Sequence, residues 1–300
     1  MKKISFLILL CSLGTFSLAQ NNFLIYSFKG NVSVLDNSVE TKAKVGKTMS
    51  NNATLKIAAG GVATLICNEE AMFTFSKPGN YALNKMGDSC KVNHSSFTAN
   101  YIKYVWNQMT KSNGSPGSNR KAYMNTMGAV SRSINNIWID PRLDTVNYSG
   151  VAGTFPLSWK SYAEAKEFNF SLYTADNSTT AVYSTTVTKL KIPLTAFVSK
   201  LKPGTSYHWV SAIKGEENDE RKVLNFVSKE SFAALLETLK TQGAQFEAPA
   251  EQAYRLGFML EDAHYLAEAL DYYAQAAKLD PTNVLYRSTL MSFKKDYEVK

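Results

Sequence analysis

Residues Ala250–Pro281 read AEQAYRLGFMLEDAHYLAEALDYYAQAAKLDP, and their apolar spacing decides how the 300-residue chain divides. Leu256, Leu260, Ala263, Leu266, Ala269, Leu270, Tyr273, Ala276 and Ala277 recur at intervals of three and four. That period belongs to one face of a helix, so Glu251–Lys278 is predicted helical. Gly257 has no Cβ and lets a second backbone come close, at a propensity cost of about 1 kcal/mol. A break at Asp262–Tyr265 would give two antiparallel helices. Pro281 ends the second, because Asp280 before it is biased away from helical geometry.

A pair of helices cannot bury its own face. Glu230–Thr241 supplies a preceding amphipathic helix and Thr282–Tyr297 a following one, with Thr282 as the expected N-cap. Leu256, Gly257, Leu260, Ala269, Tyr273, Ala276 and Pro281 fall where a tetratricopeptide (TPR) repeat places its signature residues, and the stretch resembles that family. Ala253 stands where the family's early tryptophan would be. The resemblance implies a TPR-like all-α domain over 230–300, whose first repeat helix lines a groove for a partner protein or peptide. Carried over residue by residue, it implies Glu251, Tyr254, Phe258 and Glu261 as the groove contacts. From the residues themselves a second reading stays open: a helical bundle that only ends the chain, with Tyr254 and Phe258 packed under the 230–241 helix.

At the other end, Lys2 and Lys3, the apolar run Ile4–Leu13 and Ser17-Leu18-Ala19 form a secretory signal over residues 1–19. No later stretch has the roughly 18 apolar residues a membrane span needs. The expected mature chain is therefore exported to the periplasm or cell surface, without a transmembrane segment. It would keep 31 basic against 25 acidic residues, unevenly placed: 24 against 14 over 20–229, and 7 against 11 from Glu230 onward. Export excludes nucleic acid as the partner of the basic part and leaves envelope polysaccharide or lipid headgroups, or simple solubility. With Cys11 removed in the signal, Cys67 and Cys90 remain. In an oxidising compartment an even pair suggests a disulfide; two buried free thiols are the alternative.

Residues 20–92 alternate short apolar runs (Phe23–Phe28, Asn31–Leu35, Thr54–Ile57, Val62–Ile66, Met72–Phe75, Tyr81–Leu83) with turn signals such as Lys29-Gly30, Asp36-Asn37 and Gly60-Gly61. A small barrel, sandwich or solenoid-like sheet is expected. The order KGNVSV, VGKTMSNNATLKIAAGGVATLI, FTFSKPGNYAL resembles the periplasmic β domain of FecR-like proteins, which implies a β scaffold in the envelope. The Gly60-Gly61 pair lacks the lysine and helix of a phosphate loop.

Residues 93–143 form a basic connector. Phe97–Met109 can make a short amphipathic helix around Tyr101, Tyr104 and Trp106, Ser112–Asn119 is a flexible loop by composition, and Ala122–Asn135 is ambiguous. Lys91–Arg142 holds seven basic residues and one acidic one. Residues 144–229 return to strand alternation around Trp159, Phe168–Leu172 and Tyr207–Ile213. Leu201-Lys-Pro203-Gly204-Thr-Ser-Tyr207 resembles the tyrosine corner of fibronectin type III and immunoglobulin-like sandwiches, which implies a seven-stranded sandwich with Trp159 and Tyr207 in its core.

The three histidines, His94, His208 and His264, fall in three segments without metal-ligand spacing, and the acidic run Glu216–Glu220 has no calcium-loop pattern. No nucleophile elbow, Walker loop or dinucleotide fingerprint occurs. The expectation is a multidomain protein, mainly β in its N-terminal part and all-α at its C-terminus, with no catalytic residues, metal or cofactor. It would be a non-enzymatic envelope scaffold that binds protein through the TPR-like groove. The alternative is a ligand-sensing or polysaccharide-binding module using the first β domain and the connector.

Overall fold

A computed structural model of the chain describes residues 22–91, 96–110, 120, 136–243 and 247–299. The signal sequence 1–19, His94, the loop 112–119 and the ambiguous stretch 122–135 lie outside the described residues. The chain is β-rich over 23–226 and all-α over 229–296, and it divides into two compact units, 1–93 and 94–300.

The first unit holds eight strands: β1 Phe23–Lys29, β2 Val32–Asp36, β3 Val39–Lys42, β4 Thr48–Met49, β5 Thr54–Ile57, β6 Val62–Cys67, β7 Ala71–Phe75 and β8 Gly79–Ala82. They form two four-stranded antiparallel sheets, ordered β4-β1-β6-β7 and β3-β2-β5-β8. Period-two alternation sends Val32 and Val34 of β2, and Leu55 and Ile57 of β5, into one core with Phe23, Ile25 and Leu65. A sandwich, among the expected possibilities, is the arrangement found. Two strands escaped the sequence reading. Val39–Lys42 is exposed throughout and shows no apolar alternation. It is set by the turn before it, where Asn37 and Ser38 both take positive φ, 49° and 67°, the geometry of a two-residue hairpin. Gly30, at φ +75°, is where a Cβ would come within 3.0 Å of the Gly61 backbone, so the two turns touch through their glycines. After β8 a 3₁₀ segment, Leu83–Lys91, brings Cys90 to Cys67, with 5.6 Å between their Cα atoms, and the two are joined as a disulfide.

The second unit begins with α1, Ser96–Thr110, and includes β9 Ile137–Trp138, β10 Thr145–Tyr148, β11 Pro156–Ser158, β12 Lys160–Ser161, β13 Phe168–Thr174, β14 Asn177–Val187, β15 Lys191–Pro193, β16 Thr205–Ile213 and β17 Lys222–Phe226. Five strands make the main sheet, β10-β17-β16-β13-β14, with β10 parallel to β17; β11 pairs with β15, and β12 with β9. Trp159, between β11 and β12, stacks on Phe170 of β13 at 6.3 Å, and Phe170 stacks on Trp209 of β16 at 5.9 Å. Tyr207 is buried, and its hydroxyl accepts the Lys202 N–H at 2.7 Å, closing the turn before β16. Both aromatics expected in the core are there. β9 comes from the connector and pairs with β12, so the described residues of the connector belong to the same unit as the strands and helices that follow.

Four helices complete the chain: α2 Lys229–Thr241, α3 Pro249–Asp262, α4 Leu266–Leu279 and α5 Val284–Asp296. Ser228 caps α2 by accepting the Ser231 N–H. Pro249 opens α3, and Glu251 reaches back to accept the Ala248 N–H at 3.1 Å. The chain turns between α3 and α4 at His264, φ 62°, inside the expected break. A Cβ on Gly257 would lie 2.8 Å from the Tyr273 ring, so this glycine sets the approach of α3 to α4. One expectation is corrected: Asn283, not Thr282, caps α5, accepting the Leu285 N–H at 3.0 Å. Thr282 instead donates its hydroxyl to Asp280. No helix among the described residues is long and apolar enough to cross a membrane.

Candidate functional site

Tyr254, Phe258 and Glu261 lie four and three residues apart on α3 and therefore share one face. All three are buried, at 1%, 1% and 2% exposure, while Glu251 at the start of the helix is half-buried. The face the TPR resemblance assigns to a peptide groove is occupied by the chain's own connector. Tyr101 and Tyr104, one turn apart on α1, both meet Phe258, at 5.5 and 4.7 Å between ring centroids. The Tyr104 and Tyr254 hydroxyls share a hydrogen bond of 2.9 Å, and Tyr254 is also bonded to Thr289 Oγ1 of α5 at 3.0 Å. Three helices are thus tied by a line of hydroxyls. The alternative packing under the 230–241 helix is not what holds these aromatics; Phe232 of that helix packs on Tyr265 instead.

Glu261 meets the connector as well. Arg120, fully buried, donates to Glu261 Oε1 and to Asp296 Oδ2. Tyr297 donates to the same Oε1 at 3.1 Å, and Tyr273 to Oε2 at 2.9 Å. Arg142 lies 3.5 Å from Asp296, holds Asp140 through both carboxylate oxygens, and rests 4.9 Å above the Tyr297 ring. Desolvation opposes the charge on Arg120, but Glu261 and the surrounding oxygens hold its pKa above the ordinary guanidinium value. Burial pushes the Glu261 carboxyl up, against the opposing pull of Arg120 and the two tyrosine hydroxyls. Burial also raises the pKa of Tyr104, Tyr254, Tyr273 and Tyr297, so these hydroxyls stay protonated and able to donate.

Two further polar clusters link elements of the unit. Arg255 holds Glu247 through Nε and Nη2, both at 2.7 Å, and donates Nη1 to the Leu239 carbonyl near the end of α2, pinning that helix to α3. Glu268, in the first turn of α4, accepts both the N–H and the hydroxyl of Ser149, at 2.7 and 2.5 Å. Beside it the Asn147 N–H of β10 donates to the His264 carbonyl at 2.9 Å. The second oxygen of Glu268 is buried without a hydrogen-bond partner, and burial pushes this carboxyl up.

These arrangements draw segments of the second unit together. Among the described residues no three His, Cys, Asp or Glu side chains group as metal ligands. A cleft of about 280 Å³ lies beside β11 and β15, lined by Thr154, Pro156, Lys191 and Pro193 with Glu298 and Val299, and contains none of the expected site residues. Arg120, Asp296 and Thr289 escaped the sequence reading, since a lone arginine in a basic stretch and two polar residues of a terminal helix carry no pattern. Tyr101 and Tyr104 were legible as one face of a helix, but not as partners of Tyr254 and Phe258. No protein-family model matches the chain, and no curated protein matches it significantly.

Proposed function

We propose that this chain is an exported, non-enzymatic cell-envelope protein that mediates protein–protein contacts. In this reading the C-terminal helices are TPR-like, the strands between the connector and α2 an immunoglobulin or fibronectin III-like sandwich, and the first unit a FecR-like scaffold. The observation that carries it is the content of the α3 face. Phe258, Tyr254 and Glu261 hold an aromatic pair one turn apart and an arginine, the chemistry with which a helical repeat grips a protein segment. The resident ligand is the connector, which makes connector, sandwich and helices one platform. Other envelope proteins then meet the exposed faces of the helices, such as those that carry Lys278 and Lys295.

Arg120 and Arg142, two of the seven basic residues that suggested a polysaccharide surface, are engaged in ion pairs within the protein, which argues against the connector in that role. Chemical cross-linking of the mature chain in intact cells tests the proposal. Links from Lys278, Lys294 and Lys295 of the helices to envelope proteins are expected. Links confined to Lys42, Lys44 and Lys47 of the first unit would overturn it.

A further inference from the structure

β14, Asn177–Val187, is an edge strand of the five-stranded sheet and, at eleven residues, the longest strand among the described residues. It contains no Lys, Arg, Asp, Glu or Pro. With 19% of the chain charged, an average eleven-residue stretch would carry about two such residues. A free edge presents unpaired N–H and C=O groups, which natural sheets protect by charge, proline, bulges, shortness or a covering element. Other edges here use those devices. β10, at the far side of the same sheet, donates its Asn147 N–H to the helical region. β3 of the first unit is four residues long and carries Glu40, paired to Lys56 at 2.6 Å, and Lys42. Among the described residues, the protection of β14 is confined to its hairpin end. There the pairing with β13 shifts register, and the Asn177 side chain accepts the Thr179 and Thr180 N–H groups. From Tyr183 to Val187 the pairing is regular, and Val182 is 38% exposed.

We propose that this edge pairs with the same edge of a second copy of the chain, joining two five-stranded sheets across a two-fold axis. A strand without charge has nothing to select a segment of opposite sign, yet meets itself with no like-charge opposition. An antiparallel pairing centred on Ser184 sets Tyr183 opposite Thr185 of the second copy, and Val182 opposite Thr186. These are β-branched and aromatic combinations that favour cross-strand pairing. The contact is isologous and therefore closes at two copies, leaving no free β14 edge.

Sedimentation velocity of the mature chain over a wide concentration range tests this. The wild-type chain is expected to sediment as a dimer. Ser184→Lys, which sets like charges opposite each other on the axis, is expected to halve the sedimenting mass with an unchanged circular dichroism spectrum. Val39→Lys, on the exposed edge of the first unit, is expected to leave the dimer intact. A wild-type chain that stays monomeric at every concentration overturns the proposal. So does a folded lysine variant of β14 that stays dimeric, or a Val39→Lys chain that dissociates.

Discussion

Tyr104 and Tyr254 stand 150 residues apart in the chain, and their hydroxyls share a 2.9 Å hydrogen bond in a fully buried setting. Through it α1 of the connector and α3 become parts of one structure, and the third hydroxyl, Thr289, brings in α5. Tyr104→Phe leaves Tyr254 still bonded to Thr289 and is expected to cost about 1 kcal/mol. Tyr254→Phe removes the hydroxyl that is bonded to both Tyr104 and Thr289 and is expected to cost about 1–3 kcal/mol. Urea denaturation of both single variants and the double variant checks this. Their effects should be less than additive, because the two residues share one bond.

Arg120 and Glu261 form the second tie. Glu261→Ala removes one of the two carboxylates paired to the buried Arg120 and is expected to destabilise the unit by about 3–5 kcal/mol. Arg120→Met is expected to be milder and dependent on pH. Without the guanidinium, burial acts unopposed by it on Glu261, whose carboxyl is already pushed up. A raised folded-state pKa gives stability that is present below the unfolded carboxylate value of about 4.3 and is lost as pH rises through the folded one. The loss in Arg120→Met should therefore grow from acid toward neutral pH, as read by thermal denaturation against the wild type.

Glu268 allows the same reasoning in the unmutated chain. Its carboxyl is pushed up by burial, and one of its oxygens has no partner. Its contribution is fully present below about pH 4.3 and declines as pH rises through its folded pKa. Glu268→Gln removes the titration while keeping an acceptor for Ser149. The variant should gain in melting temperature relative to the wild type as pH is raised from 4 toward neutrality.

The Cys67–Cys90 bridge closes a segment of 23 residues in the first unit. Replacing both cysteines by alanine is expected to lower the stability of that unit by about 3 kcal/mol in the chain-entropy description. The second unit's transition should stay where it was. Calorimetry of the two transitions, with and without reductant, checks both expectations.

Much of the fold was legible because period and punctuation are local. The 3.6-residue spacing of Leu256 to Ala277 located α3 and α4, and the turn residues of 22–92 located six of the eight strands of the first unit. The resemblance of Leu201–Tyr207 to a tyrosine corner placed Tyr207 in the core, where it lies. What stayed hidden is non-local. Val39–Lys42 becomes a strand because its turn returns it to β2, not because of its own side chains. The α3 face was recognisable as a contact surface, but no local pattern states that Tyr101, Tyr104 and Arg120 would cover it. Amphipathic helices reveal that they need a partner without revealing which one.

α1 and the α3 face it covers should unfold as one cooperative structure. Native-state hydrogen exchange on the mature chain tests it directly, by comparing amides of Ser96–Thr110 with those of Pro249–Asp262. The account predicts that the most protected amides of both helices open with the same free energy, and that Glu261→Ala lowers both together. Rapid exchange throughout α1 beside a fully protected α3 would contradict it, and would leave the α3 face free for a ligand from outside the chain.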